Sequence, residues 1–139
     1  MPELSTEQAR ALIEGALASL LDPKQDADDL GRYFASDYIQ EVDGKRLTFT
    51  GFIDHARVLK ASLRWGRATI ERLIVSGDTI ADMHVVEAEK TNGEAIRVKV
   101  IAFFIVRDSK IVRVDELTHL LVGSEADRDM GSRGSLKAT

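Results

Sequence analysis

Apolar residues recur at helical spacing in the first half of the chain and at every second position in the rest. The first apolar stripe consists of Ala9, Leu12, Ile13, Ala16, Leu17, Leu20 and Leu21. Such a stripe predicts an amphipathic helix. Ser5 and Gln8 have the spacing of a capping box at its start. Asp22-Pro23 predicts its end, because the residue before a proline avoids the helical region.

Two shorter helices are predicted before residue 65. One begins at Asp26 and turns Ala27, Leu30, Tyr33 and Phe34 inward. The other is capped by Thr50 and carries a second stripe, made of Phe52, Ile53, Ala56, Leu59 and Leu63. Between these helices, residues 38–49 read as extended chain that is broken by the turn pair Asp43-Gly44.

After Trp65 the period changes to two, which is typical of β-strands. Strands are predicted at 69–75, 79–90, 95–107 and 111–121, with turns at Ser76-Gly77-Asp78, Asn92-Gly93 and Asp108-Ser109. Three helices packed on an antiparallel meander make an α+β fold. We expect one domain over residues 1–122 and a polar, flexible tail over 123–139.

Composition narrows the function classes. The chain has 139 residues, no cysteine and a net charge of −4, which argues against thiolate chemistry and against nucleic-acid binding. Its longest apolar run has seven residues, far below the roughly 20 that span a membrane. The N-terminus lacks a secretory signal, so we expect a cytoplasmic protein that binds neither membrane nor nucleic acid. No phosphate loop or metal-binding motif is present, and we expect no cofactor and no metal.

The turns allow a prediction of strand register. If Asn92-Gly93 and Asp108-Ser109 are two-residue loops, His84 lies opposite Ile101, which in turn lies opposite Glu116. One face of the sheet then carries Ile80, Asp82, His84, Val86, Ile101, Phe103, Ile105, Val112, Val114, Glu116 and Thr118.

Three ionisable residues interrupt that apolar face. Buried ionisable groups cost free energy unless they are paired or used in chemistry. The candidate catalytic residues are therefore His84 as a general acid or base, with Glu116 or Asp82 orienting it. In the competing interpretation the three side chains only satisfy one another.

The remaining candidates concern ligand and partner surfaces. Tyr38 and Trp65 are predicted to line the mouth of a cavity, and the predicted ligand-binding set is Tyr38, Trp65, Ile101, Phe103 and Val114. The opposite face of the sheet is also largely apolar, which favours a homodimer through that outer face. His119 is placed on the outer face, and His55, which falls off its helix's stripe, is predicted to be exposed to solvent.

The order of elements, the Tyr38-Ile39-Gln40 segment and the last hairpin over 106–112 together resemble the NTF2-like superfamily, and most closely its SnoaL-like group of polyketide cyclase and ketosteroid isomerase relatives. The resemblance implies a cone of helices and curved sheet around a pocket. Members include isomerases, cyclases, dehydratases, epoxide hydrolases and non-catalytic binding proteins. The resemblance also places Phe103, Val114 and Glu116 on the pocket side.

The positions that match the catalytic residues of ketosteroid isomerase are Val42, Leu17 and Phe103, and none of these side chains transfers protons. A steroid-isomerase mechanism is therefore not expected. We expect an isomerase-, cyclase- or dehydratase-type enzyme that does acid/base chemistry on a hydrophobic small molecule. The alternative is a non-catalytic ligand-binding or dimerisation module.

Overall fold

A computed structural model describes residues 4–124 and 127 of the chain. In chain order the elements are helix α1 (Thr6–Leu21), a 3-10 helix (Ala27–Arg32), strands β1 (Phe34–Val42) and β2 (Lys45–Thr48), helix α2 (Phe49–Ser62), and strands β3 (Leu63–Ser76), β4 (Thr79–Lys90), β5 (Ala95–Arg107) and β6 (Lys110–Val122). The strands form one curved sheet in the order β2-β1-β6-β5-β4-β3. Neighbouring strands are antiparallel, except that β1 pairs with β6 in parallel.

Helix α1 has the start and end that its sequence predicts. The Gln8 amide N–H donates to Ser5 Oγ at 3.0 Å, and the Ser5 N–H donates to Gln8 Oε1 at 2.9 Å, which completes the capping box. The helix stops at Leu21, before Asp22-Pro23. The buried Lys60 ammonium of α2 donates to the carbonyls of Ser19 and Asp22, and so satisfies acceptors that the helix end leaves open.

The prediction of three α-helices is only partly right. The second is a single 3-10 segment that ends at Arg32, and Phe34 already belongs to β1. The third is capped by Thr48 rather than Thr50, since Thr48 Oγ1 accepts from the Gly51 N–H at 3.5 Å. The extended segment is a hairpin that turns at Asp43-Gly44, as predicted.

Both helices pack on one face of the sheet and enclose the core. Three aromatic rings, those of Phe34, Tyr38 and Phe52, contact one another with centroids 4.6–4.9 Å apart. The largest fully buried side chains around them are Tyr38, Ile13, Leu21, Leu30, Ile80, Ile111 and Val42. The inner face of the sheet is therefore the side on which a buried site can form.

The register between β4 and β5 differs from the prediction by one residue. The Lys90 N–H donates to the Glu94 carbonyl at 2.8 Å, so the loop has three residues, and its last, Gly93, has φ +90°. A hairpin loop of this length needs a residue in the left-handed region, which glycine supplies without strain. His84 consequently pairs with Val100 instead of Ile101.

A second shift occurs between β5 and β6. Their turn is the predicted two-residue one, with Arg107 opposite Lys110, but the register changes by one between Ile105 and Val106. Phe103 therefore pairs with Asp115 rather than with Val114. The two shifts add up to two residues between β4 and β6, which is one full period of side-chain alternation, so only β5 presents the opposite face from the predicted one.

The consequence is visible in the burial of adjacent residues. Ile101 and Phe103 are 52% and 55% exposed on the outer face, whereas Phe104 is only 4% exposed. Strand β5 is apolar at every position only over residues 100–106. Ile96, Val98 and Val100 alternate with Arg97 and Lys99 and so indicate the inner side that the structure shows, whereas the assumed two-residue loop indicated the opposite side.

The bounds of β4 and β5 agree with the prediction, while β3 begins earlier, at Leu63, and β6 extends by one residue at each end. Asp127 is buried and accepts from the Ser124 N–H at 2.9 Å and from Lys90 Nζ at 3.0 Å. The rest of the predicted tail, residues 125–126 and 128–139, lies outside the described residues. In the part of the chain that the structure describes, no helix has the length and hydrophobicity to cross a bilayer.

Candidate functional site

A cavity lies between the inner face of the sheet and helices α1 and α2. Its volume of about 80 Å³ leaves room for several waters or one small molecule. Its wall is mostly apolar, and the side chains that bring polar atoms to it are Tyr38, Gln40, His55, His84, Glu116 and Thr118. An apolar cavity with a few convergent polar groups is the usual form of a small-molecule site.

Asp82 and His84 form a buried pair on β4. They are two residues apart, so both side chains point to the inner face, and His84 Nδ1 lies 2.9 Å and 3.1 Å from the two Asp82 carboxylate oxygens. Their side chains are 3% (His84) and 0% (Asp82) exposed. Because Asp82 occupies Nδ1, the nitrogen left for a ligand is Nε2. Since His84 lines the cavity and Asp82 does not, the pair has the arrangement of an oriented imidazole.

Glu116 reaches the same cavity from β6. It lies in one cross-strand row with Ala102 and Asp82, because Ala102 pairs with both. Burial raises the pKa of its carboxyl to about 7; the nearby His84 opposes this rise, and the charges of Asp82 and Asp43 add to it. A carboxyl with this pKa exchanges its proton near neutral pH, which suits a general acid or base.

Tyr38 and Gln40 form a second polar pair in the cavity wall. The Tyr38 hydroxyl donates to Gln40 Oε1 at 2.9 Å, and both residues are buried. Burial raises the pKa of the Tyr38 hydroxyl well above its usual range, and the charges of Glu116 and Asp115 add to the effect. The phenol therefore stays a neutral hydrogen-bond donor.

His55 was predicted to be exposed, and this is wrong. It is buried in α2 and lines the cavity, with its ring 6.4 Å from that of Phe52. His55 lies three residues after Phe52 and four before Leu59, which both belong to the buried face of the helix. This spacing was the signal in the sequence that identifies His55 as a buried residue. Gln40 was also missed as a cavity residue, although it follows Tyr38 at strand spacing.

Of the predicted ligand-binding residues, Tyr38 and Val114 line the cavity. Ile101 and Phe103 do not, because the register of β5 turns them outward. Trp65 is also outside: it lies in a separate surface groove near Pro23, with the Arg67 guanidinium 5.7 Å from its ring centre. The three predicted catalytic residues, by contrast, do come together on the inner face.

The described residues contain no group of three or more histidine, cysteine or acidic side chains placed to hold a metal ion. His119 is exposed, on a face that also exposes Ile101, Phe103 and Leu117. On the inner face, the side chains of His84, Glu116 and Tyr38 line the cavity and can transfer protons or form hydrogen bonds.

Known proteins resemble the chain in sequence and in structure. An uncharacterized protein of Schizosaccharomyces pombe is 34% identical over 127 residues, which cover 91% of this chain and 98% of that one. The solved structure of TsrD from Streptomyces laurentii superposes with a TM-score of 0.72 at 18% identity, covering 94% of this chain and 100% of the other. A LEH-like epoxide hydrolase from M. tuberculosis gives 0.68 at 17% identity, with coverages of 91% and 90%.

These structural similarities establish an NTF2-like α+β fold, and at such low identity they establish the fold alone. The family model that describes the SnoaL-like domain matches residues 9–114, which is most of the chain and includes α1, α2, the Asp82–His84 pair and β5. The resemblance that the order of elements predicts is thereby confirmed, and the chain belongs to the SnoaL-like domain family.

Proposed function

We propose that the protein is an enzyme that carries out acid/base proton transfer on a small hydrophobic molecule bound in the cavity. The observation that carries this proposal is that His84, oriented by Asp82, and Glu116, with a pKa near 7, line one apolar cavity. A reaction of the isomerase, cyclase or dehydratase type needs both a group that takes a proton and a group that returns one. The cavity wall contains both.

The proposed roles follow from the hydrogen bonds. Asp82 accepts from His84 Nδ1 and is assigned as the orienting residue, which leaves Nε2 to take or give a proton. The Glu116 carboxyl accepts no hydrogen bond from any described residue, so it is assigned as the second proton-transfer group and not as a further partner of His84. Protonated Glu116 donates to a substrate oxygen below about pH 7, and its carboxylate accepts a proton above it.

Turnover is tested without knowledge of the natural substrate by following exchange of the α-protons of small cyclic ketones in D₂O by NMR. His84→Gln keeps a neutral polar side chain of similar size but has no basic nitrogen, so exchange above the buffer rate should fall at least about 100-fold, the usual contribution of a general acid or base. His119→Gln is the matched control, because it makes the same change on the outer face.

Equal exchange rates for the wild type, His84→Gln and His119→Gln contradict the assignment of His84. The small cavity volume is the observation that favours the second hypothesis, a non-catalytic binding module. That hypothesis predicts that the same ketones raise the melting temperature of the protein while no enzyme-dependent exchange occurs, because a ligand that binds only the folded state stabilises it.

We also propose that a second copy of the chain covers the outer face of the sheet. Ile101 pairs directly with Leu117, and with Phe103 they form an exposed apolar surface on adjacent strands. The charges beside this surface neutralise each other, since Arg113 and Asp115 form a bidentate ion pair. A surface without excess charge does not repel an identical copy, and a two-fold interface brings the same patch from each copy into contact.

The dimer is tested by light scattering after size exclusion. The wild type should have twice the chain mass of 15.4 kDa, and Leu117→Arg should have the mass of one chain, because a charge buried at the interface lacks a partner. Trp65→Arg is the control, since it places the same charge on an exposed apolar residue away from that face. A single-chain mass for the wild type contradicts the proposal.

A further inference from the structure

Strand β1 ends beside Glu116, whereas β6 continues beyond the end of β1. The parallel pairing ends where Val42 lies opposite Glu116, and the chain then turns at Asp43 and Gly44, with φ +52° and +83°. β6 runs on to Val122, so the backbone groups after Glu116 on its β1 side have lost their neighbouring strand. Such groups need another partner or water.

The Asp43 side chain takes the place of the missing strand. Its Oδ1 accepts from the Thr118 N–H at 2.8 Å, and its Oδ2 accepts from the Thr118 hydroxyl. Its own N–H donates to the Glu116 carbonyl at 3.1 Å. One residue in the turn thus binds β6 at the Glu116 carbonyl and at the Thr118 amide, which are the backbone groups that follow the Glu116 side chain.

We propose that Asp43 is a positioning residue for Glu116, which holds the Glu116 carboxyl in the cavity by bonding the Glu116 carbonyl and the Thr118 amide directly after that side chain. Glu116 and Thr118 both line the cavity and so depend on the same contact. The inference rests on the proposed function only in taking Glu116 as a proton-transfer group.

The turn by itself does not require this aspartate. Asparagine and glycine are equally suited to the left-handed conformation of the first turn position. Asp108 occupies the corresponding place in the turn between β5 and β6, also with φ +52°, and its carboxylate accepts no hydrogen bond from any described residue. Asp43 therefore differs from Asp108 in the use of its side chain and not in its backbone.

Asp43 also contributes charge to the surroundings of Glu116. The groups that face Glu116 are Asp43 from the turn, Asp82 and His84 from β4, Tyr38 from β1 and, across the cavity, His55 from α2. Strand β5 between them presents only apolar side chains inward. The Asp43 charge raises the pKa of the Glu116 carboxyl, and removing this charge lowers it.

Two variants separate position from charge. Asp43→Asn keeps an oxygen that accepts from the Thr118 N–H but removes the charge, whereas Asp43→Gly removes the hydrogen bonds while tolerating the backbone conformation. Asp108→Asn and Asp108→Gly are the matched controls. The readouts are the titration of the Glu116 carboxyl by ¹³C NMR, assigned by its absence in Glu116→Gln, and the hydrogen exchange rate of the Thr118 amide.

Exchange at Thr118 should rise about tenfold in Asp43→Gly and stay near the wild-type rate in Asp43→Asn, because the Thr118 amide loses its acceptor only in the first. The Glu116 titration should move to lower pH in both variants, by at least a few tenths of a unit, and should be unchanged in both Asp108 controls. Either an unchanged Thr118 exchange rate in Asp43→Gly or an unchanged Glu116 titration in Asp43→Asn overturns the inference. Neither readout involves turnover, so this failure is distinct from a failure of the proposed function.

Discussion

Two pairs of ionisable residues with the same spacing lie on opposite faces of the sheet. Asp82 and His84 are two residues apart on β4 and face inward, and Arg113 and Asp115 are two residues apart on β6 and face outward. Both pairs have contacts of 2.9 Å. The inner side chains are 3% and 0% exposed, whereas the outer ones are 33% and 44% exposed.

The difference shows that the face of the sheet, not the spacing, gives such a pair its chemistry. On the outer face the Arg113 hydrogen bond lowers the pKa of the Asp115 carboxyl, which remains an ordinary surface carboxylate. On the inner face the pair lies beside Glu116, whose pKa burial raises to about 7. Access to water determines both the free energy that such a pair contributes and the pKa values of its groups.

The largest expected effect compares two adjacent phenylalanines on β5. Phe104→Ala should lower the free energy of unfolding by about 4 kcal/mol, because it leaves a void in the core. Phe103→Ala should lower it by less than about 1 kcal/mol in the monomer, since its ring is outside. Urea unfolding of a monomeric background such as Leu117→Arg measures both, and equal losses contradict the observed register.

The next effect concerns the two pairs themselves. Asp82→Ala should lower the free energy of unfolding by about 3 kcal/mol at pH 7, because it leaves His84 buried without its partner. Asp115→Ala should cost less than about 1 kcal/mol, since water replaces the lost contact of Arg113. Similar losses in the two variants mean that burial does not distinguish the pairs.

The smallest effect is a dependence on pH that Glu116 introduces. The folded protein keeps the Glu116 proton up to about pH 7, whereas the unfolded chain releases it near 4.5, so the free energy of unfolding falls as pH rises between these values. Glu116→Gln should therefore be more stable than the wild type by about 2 kcal/mol at pH 8, after allowance for partial exposure of the residue, and the gain should vanish below pH 4.5. Urea unfolding at the two pH values measures this difference.

Glu41→Gln is the control for that experiment, because Glu41 lies on the outer side beside Arg113, with 3.7 Å between its Oε2 and Nη2 of Arg113. It makes the same chemical change without removing a buried carboxyl. A pH-dependent gain of the same size in Glu41→Gln shows that the gain does not come from burial.

Local chemistry made much of the fold predictable. The capping box of Ser5 and Gln8, the helix stop before Pro23 and the bounds of β4 and β5 depend on neighbours in sequence, and each prediction was confirmed. The placement of Asp82, His84 and Glu116 on one face was also right, although the predicted register was wrong by one residue at each of the two strand pairs. Together the two errors amount to two residues between β4 and β6, which keeps the predicted face of β6 and leaves only β5 reversed.

The sequence by itself determined the α+β order of elements, the family and the ionisable residues of the candidate site, because periodicity, caps and turn residues act over a few positions. Only the tertiary structure decided how β5 pairs with its two neighbours and that Asp43 binds β6 beside Glu116. Those outcomes depend on a three-residue loop, a register shift and contacts between residues 75 positions apart. The turn residues alone select neither the loop length nor the register shift, because both depend on how the paired strands pack.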